Sequence, residues 1–271
     1  MMNKELVEFG KRMDSAQDKD VLISFCEGAK NVLDLGSGTG AMARAVAEKY
    51  GCQVDAVDLE WKTEYMPQTS NGHVCYHRLS IAQYVRSHRT VDKGRYDRII
   101  LSGIIHELNP EDFECFEKYF PEIMSDNCRI LIREPFWDHT LGPVVDGKGS
   151  EFAKLVSNHV SASKMLDYGS IQKKSSDYIP KNTLLFWVNL AFVLSYGEDS
   201  WKRESKEYRY AYSLDWCKEY FNFEKRPYTG FQVYSVLDTT YREHFINAGI
   251  PGEAFDLIGY TGMHVIIDYS K

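Results

Sequence analysis

The stretch Asn31-Val-Leu-Asp-Leu-Gly-Ser-Gly-Thr-Gly40 constrains this chain more than any other. Val32 to Leu35 read as a short buried strand, because four residues bounded by a glycine turn are too few for a helix. Glycines 36, 38 and 40 form the turn, and a helical pattern, Ala41 to Lys49, follows at once. A second apolar strand, Val54 to Val57, then ends in Asp58 and Leu59, with Glu60 close behind. Strand, glycine turn, helix, strand and acid make one nucleotide-binding βαβ half. Glycine lets the backbone approach a ligand, since it has no Cβ and tolerates positive φ. The acid can accept hydrogen bonds from ribose hydroxyls.

Two ligands compete for such a turn. A dinucleotide fold uses G-x-G-x-x-G and seats the pyrophosphate on the helix N-terminus. Here the spacing is G-x-G-x-G, and Asp34 stands two residues before the first glycine. An acid there suits an amino-bearing ligand and repels a pyrophosphate. Asp34-x-Gly36-Ser37-Gly38-x-Gly40, followed by Asp58, resembles the cofactor site of class I S-adenosylmethionine (SAM) methyltransferases. The resemblance implies that the glycine loop lies against the amino-acid part of SAM and that Asp58 and Leu59 flank the ribose. It also implies that Ser80 and Ile81, after the third strand, meet the adenine. Many relatives carry an acid where this chain has Ser80. The fourth strand end, Leu101-Ser102-Gly103, is implied to face the methyl group.

The resemblance extends from about residue 28 to 136 and returns at the C-terminus. Residues 73–79, 96–101 and 129–132 read as further strands, with helices over 81–88 and 111–124. Strands separated by helical patterns imply a parallel sheet with right-handed crossovers. Near the C-terminus we expect a helix over 214–221 capped by Ser213, strand character over 223–233 and a last strand over 262–268. These suit the antiparallel hairpin that closes a methyltransferase sheet. The expected fold is therefore α/β: a doubly wound, mostly parallel, seven-stranded Rossmann-like sheet in a single domain spanning 1–271. Residues 1–28 form an N-terminal helical cap, and 141–212 an α-helical insertion after strand 5 that would act as a substrate lid.

His106 is the candidate catalytic residue. An imidazole beside the transferring methyl could take a proton near neutral pH. Positioning without a base is the alternative, since proximity alone supplies much of the barrier reduction in such reactions. Glu107, Glu134 and Trp137 are candidates for the substrate pocket, because strand ends line the crevice of open α/β sheets. Glu134 could equally form a structural ion pair.

Composition narrows the partners. Lys plus Arg number 32 against 39 Asp plus Glu, a net charge of -7, which disfavours a broad nucleic-acid surface. The six cysteines show no C-x-x-C spacing, so no zinc knuckle or redox pair is indicated and no metal is expected. Dispersed thiols fit a reducing cytoplasm. The N-terminal Met-Met-Asn-Lys-Glu lacks an apolar signal core. The longest apolar run, Leu184 to Leu194, is too short to span a bilayer. The sequence therefore points to SAM-dependent O- or N-methylation of a small molecule. A nucleotide or RNA acceptor, or a SAM-binding sensor or partner subunit without transfer, is the alternative. The oligomeric state is left open, a homodimer included.

Overall fold

The computed structural model describes residues 19–59, 73–134, 214–236 and 262–269, with short pieces at 151, 154–156, 158, 246 and 251–253. Most of the expected N-terminal cap, Ser213, Trp137 and nearly all of the 141–212 insertion lie outside the described residues.

The described chain runs α1 (Lys19–Phe25), β1 (Asn31–Leu35), α2 (Ala41–Tyr50), β2 (Gln53–Val57), β3 (Val74–His77), α3 (Ile81–His88) and β4 (Tyr96–Ser102). A short 3-10 turn (Ile105–Glu107) leads into α4 (Pro110–Ile123) and β5 (Met124–Glu134), and α5 (Leu214–Tyr220), β6 (Gly230–Val236) and β7 (Gly262–Asp268) complete the fold. The seven strands form one sheet in the order β3-β2-β1-β4-β5-β7-β6. The pairs among β1 to β5 are parallel, while β7 runs antiparallel to both β5 and β6. The expected mostly parallel sheet with a closing hairpin is what the chain forms.

Alternation along the central strands divides the core into two layers. Leu33, Leu35, Val57, Ile99, Leu101, Ile130 and Ile132 pack against residues of α3, α4 and α5. Val32, Val54, Ala56, Ile100 and Leu131 pack on the other face with Leu22 and Phe25 of α1 and Val46 of α2. Burial on both faces explains why these strands read as continuous apolar runs. Parallel pairing brings the carboxyl ends of β1, β2, β3, β4 and β5 to one edge of the sheet.

Two element bounds differ from the sequence reading. The last parallel strand begins at Met124, and its ladder with β4 shifts register between Tyr96 and Arg98. The expected strand over 223–233 starts only at Gly230; before it, Phe223 and Arg226 form an isolated antiparallel bridge. Pro227 follows that bridge and has no N–H for a ladder.

A buried polar network fastens α3 to the sheet. Asp55 Oδ1 lies 2.8 Å from His77 Nε2, while its Oδ2 accepts from the Tyr96 hydroxyl at 2.9 Å and from Arg95 Nη2 at 2.9 Å. The Tyr96 and Tyr84 hydroxyls are 2.6 Å apart, and Arg95 Nη1 also reaches Asp92 at 2.7 Å. Burial disfavours the Asp55 charge. The His77 hydrogen bond, Arg95 and Tyr96 together outweigh that and hold the carboxyl below its usual 3.8. Its contribution to stability is then present above the unfolded value and is lost as pH falls through the folded one.

We predict that Asp55→Asn costs about 1–3 kcal/mol at pH 7. The gap from the wild type should narrow as pH falls below about 4, where the unfolded chain takes up a proton that folded Asp55 still resists, and vanish once the folded carboxyl is protonated. Urea unfolding at both pH values reads this, and a gap of equal size at both would contradict it.

Candidate functional site

Gly36, Gly38 and Gly40 have φ of 71°, 55° and 69°, the left-handed region that favours glycine. The loop they make is tied to the end of β2. Val57 O accepts from Gly36 N at 2.9 Å and from Ser37 N at 3.1 Å, and the Ser37 hydroxyl also reaches it at 3.3 Å. One residue on, Asp58 Oδ2 accepts from Gly38 N at 2.9 Å. The two halves of the sequence motif, 20 residues apart, therefore meet directly. Gly38 is exposed, and a Cβ there would meet nothing within 4 Å. Leu59 follows, 63% exposed.

Asp34 lies under this loop near the end of β1, paired in register with Ala56 of β2 and Ile100 of β4. It is 3% exposed, and its Oδ2 has no hydrogen-bond partner. A buried charge without a partner is costly. Burial, reinforced by the nearby Asp58 charge, pushes the Asp34 carboxyl up from 3.8 to about 7. The fold holds an acid here that its own described residues do not satisfy.

The helix starts at this edge differ. α3 is closed by a capping box: Ser80 Oγ accepts from Gln83 N at 3.1 Å, and Gln83 Oε1 accepts from Ser80 N at 3.0 Å. α4 is closed likewise by Asn109 and Asp112. α2 starts at Gly40 with no side-chain cap, which leaves its first-turn amides available to an anion. The Ser80 hydroxyl, a candidate adenine contact, thus spends one lone pair on its own helix. Ile81 beside it is buried in the core cluster.

His106 occupies the 3-10 turn after β4, between buried Ile105 and half-buried Glu107. Two contacts fix this turn. Glu134 Oε1, at the end of β5, accepts from Ile105 N at 2.5 Å. The Ile104 side chain fills the space beside Gly36, where a Cβ would stand 2.5 Å from Ile104 Cγ1. Ser102 precedes the turn, and Gly103 N donates to Arg133 O at 2.8 Å. The structure thus brings Asp34, the glycine loop, Asp58, Ser80, Ile81, Ser102 and the His106 turn to one edge of the sheet. Glu134 is there too, as a clamp on backbone. The sequence reading missed that role and missed Ile104; an apolar residue in a turn gives no sign of which glycine it will touch.

Among the described residues no group of His, Cys, Asp and Glu could hold a metal ion, and no helix is long and apolar enough to cross a membrane.

No protein-family model and no curated sequence matches the chain. Solved structures do. A 1,6-didemethyltoxoflavin-N1-methyltransferase from Burkholderia thailandensis, solved with 1,6-didemethyltoxoflavin and S-adenosylhomocysteine (SAH), is similar at 12% identity and TM-score 0.51, over 93% of this chain and 76% of that one. A SAM-dependent methyltransferase from Archaeoglobus fulgidus is similar at 10% identity and TM-score 0.51, over 98% of this chain and 100% of that one. Geranyl diphosphate methyltransferase, solved with GPP and sinefungin, is similar at 13% identity and TM-score 0.53, over 93% of this chain and 78% of that one. At such identities the likeness is one of fold: the chain has the α/β Rossmann-like architecture of class I SAM-dependent methyltransferases.

The loop geometry separates its glycines. Gly36→Ala combines left-handed strain of about 1–2 kcal/mol with a collision against Ile104. Gly38→Ala carries the strain alone. We predict that Gly36→Ala is the more destabilising by about 1–3 kcal/mol in urea unfolding; equal costs would show that the Ile104 contact is slack.

Proposed function

We propose that this chain is a SAM-dependent methyltransferase that acts on a small-molecule acceptor by O- or N-transfer. The observation that carries the reading is Asp34: a buried carboxyl with an unpartnered oxygen, beneath a glycine loop held to Asp58. An ammonium would satisfy that oxygen, and the uncapped start of α2 would receive the carboxylate of the same amino acid. Asp58, which closes the loop through Gly38 N, is the acid we assign to the ribose hydroxyls. In α3 the amides of Ser80, Ala82, Gln83 and Tyr84 all have partners, whereas the Ile81 N–H has none among the described residues. That single donor suits an acceptor nitrogen of adenine. Bound there, SAM would supply a methyl made electrophilic by its sulfonium.

The chain's own contribution is placement. The glycine loop and the His106 turn touch through Gly36 and Ile104, so the cofactor loop and the acceptor side are held in one frame. His106 is the residue we assign to proton removal from the acceptor, and Glu107, Ser102 and Trp137 to its surroundings. Glu134 holds the turn by its backbone. A small-molecule acceptor is supported by the overall charge of -7 and by the 1,6-didemethyltoxoflavin and GPP bound in two of the similar structures.

Calorimetry with SAH tests this reading. Binding in the micromolar range is expected, lost in Asp58→Ala and Gly38→Val, and NAD should not bind. The pH dependence has a definite sign. Below about 7 Asp34 is protonated in the free protein and must lose its proton to pair with the ligand ammonium. Affinity should therefore rise by up to about tenfold per pH unit from pH 5.5 to 7 and then level off. Asp34→Asn should flatten the profile. NAD binding without SAH binding would overturn the reading.

A further inference from the structure

We propose that Asp112 of α4 is a positioning residue that holds the first turn of α3 and thereby sets selectivity for an adenine base. The inference rests on the cofactor reading above. It concerns a residue thirty positions from the turn it serves.

Asp112 is 6% exposed, and both its oxygens are committed to backbone amides. Oδ1 accepts from Ala82 N at 3.0 Å; Oδ2 accepts from Asn109 N at 3.3 Å. The second bond belongs to the capping box of α4. The first crosses to another helix. Cys115 Sγ, one turn further along α4, donates to Ala82 O at 3.6 Å, so Ala82 is gripped on both its polar groups. Capping within α3 accounts for the Ser80 and Gln83 amides. Of the two between them, Asp112 accounts for Ala82. What remains is the Ile81 N–H, fixed in direction because the amides on either side are pinned.

Remove the Asp112 carboxylate and Ala82 N–H becomes a second unmatched donor next to the first. The turn would then offer two amides with no preferred direction. Adenine N1 is an acceptor, whereas N1 of hypoxanthine carries a proton, so one well-aimed N–H distinguishes them. A loosened pair does so poorly.

Paired calorimetry with SAH and S-inosylhomocysteine tests this. The wild type should prefer SAH about tenfold or more. Asp112→Ala should reduce that preference to about threefold or less. Asp112→Asn keeps an acceptor oxygen for Ala82 N–H and should restore most of it. A folded Asp112→Ala protein with the wild-type preference overturns the inference, as does an Asp112→Asn protein as indifferent as Asp112→Ala. Should Asp112→Ala not fold, residue-resolved hydrogen exchange on the wild type decides. The Ala82 amide should be protected at least about tenfold more than Ile81 before ligand is added, and SAH but not S-inosylhomocysteine should protect Ile81. Equal protection of the two amides overturns the inference. A wild type that binds SAH without preferring it overturns this inference alone; one that ignores SAH overturns the cofactor reading with it.

Discussion

Asp34 is the constraint around which the site is organised. It sits in the middle strand of the five parallel ones, and nothing among the described residues hydrogen-bonds its Oδ2. A fold selected for stability alone would place an apolar residue there, as it does at Val32 on the same strand face. Retaining the acid destabilises the ligand-free protein as pH rises through about 7, where the carboxyl must ionise without a partner. A cationic ligand removes that penalty. On the proposed reading, binding and the ionisation of Asp34 are therefore linked, and the glycine loop above is where a ligand would meet the acid.

The surrounding loops form one unit through few contacts. Val57 O gathers the loop after β1, Asp58 closes over Gly38, and Ile104 packs against Gly36 from the far side. Glu134 extends the chain of contacts to β5 by holding the Ile105 amide. Each contact joins backbone to backbone, to a short carboxylate or to a packed side chain, so the site is positioned by the sheet rather than by long exposed side chains.

Much of this was legible in the sequence. Buried parallel strands announce themselves as short apolar runs, and the glycine spacing with Asp34 and Asp58 marks the first βαβ unit. Helix starts at Ser80 and Asn109 carry capping residues three positions before Gln83 and Asp112, which is a local signal. What stayed hidden depends on tertiary pairing. Asp55 meets Tyr96 41 residues away, and Glu134 meets Ile105 across 29. Asp112 reads as an ordinary first-turn acid until the fold carries Ala82 to it. The start of β6 was missed because Phe223 and the following aromatic and polar residues mimic strand alternation, while Arg226 turns back to the Met124 carbonyl at 2.8 Å.

The most direct test is a crystal structure of the protein grown with SAH. The account predicts the ligand's amino group at Asp34 Oδ2, within about 3 Å directly or through one water, and its ribose on Asp58. Its base should lie against Ile81. SAH bound away from the glycine loop, or a loop left empty at saturating SAH while Asp34 finds a partner within the protein, would contradict it.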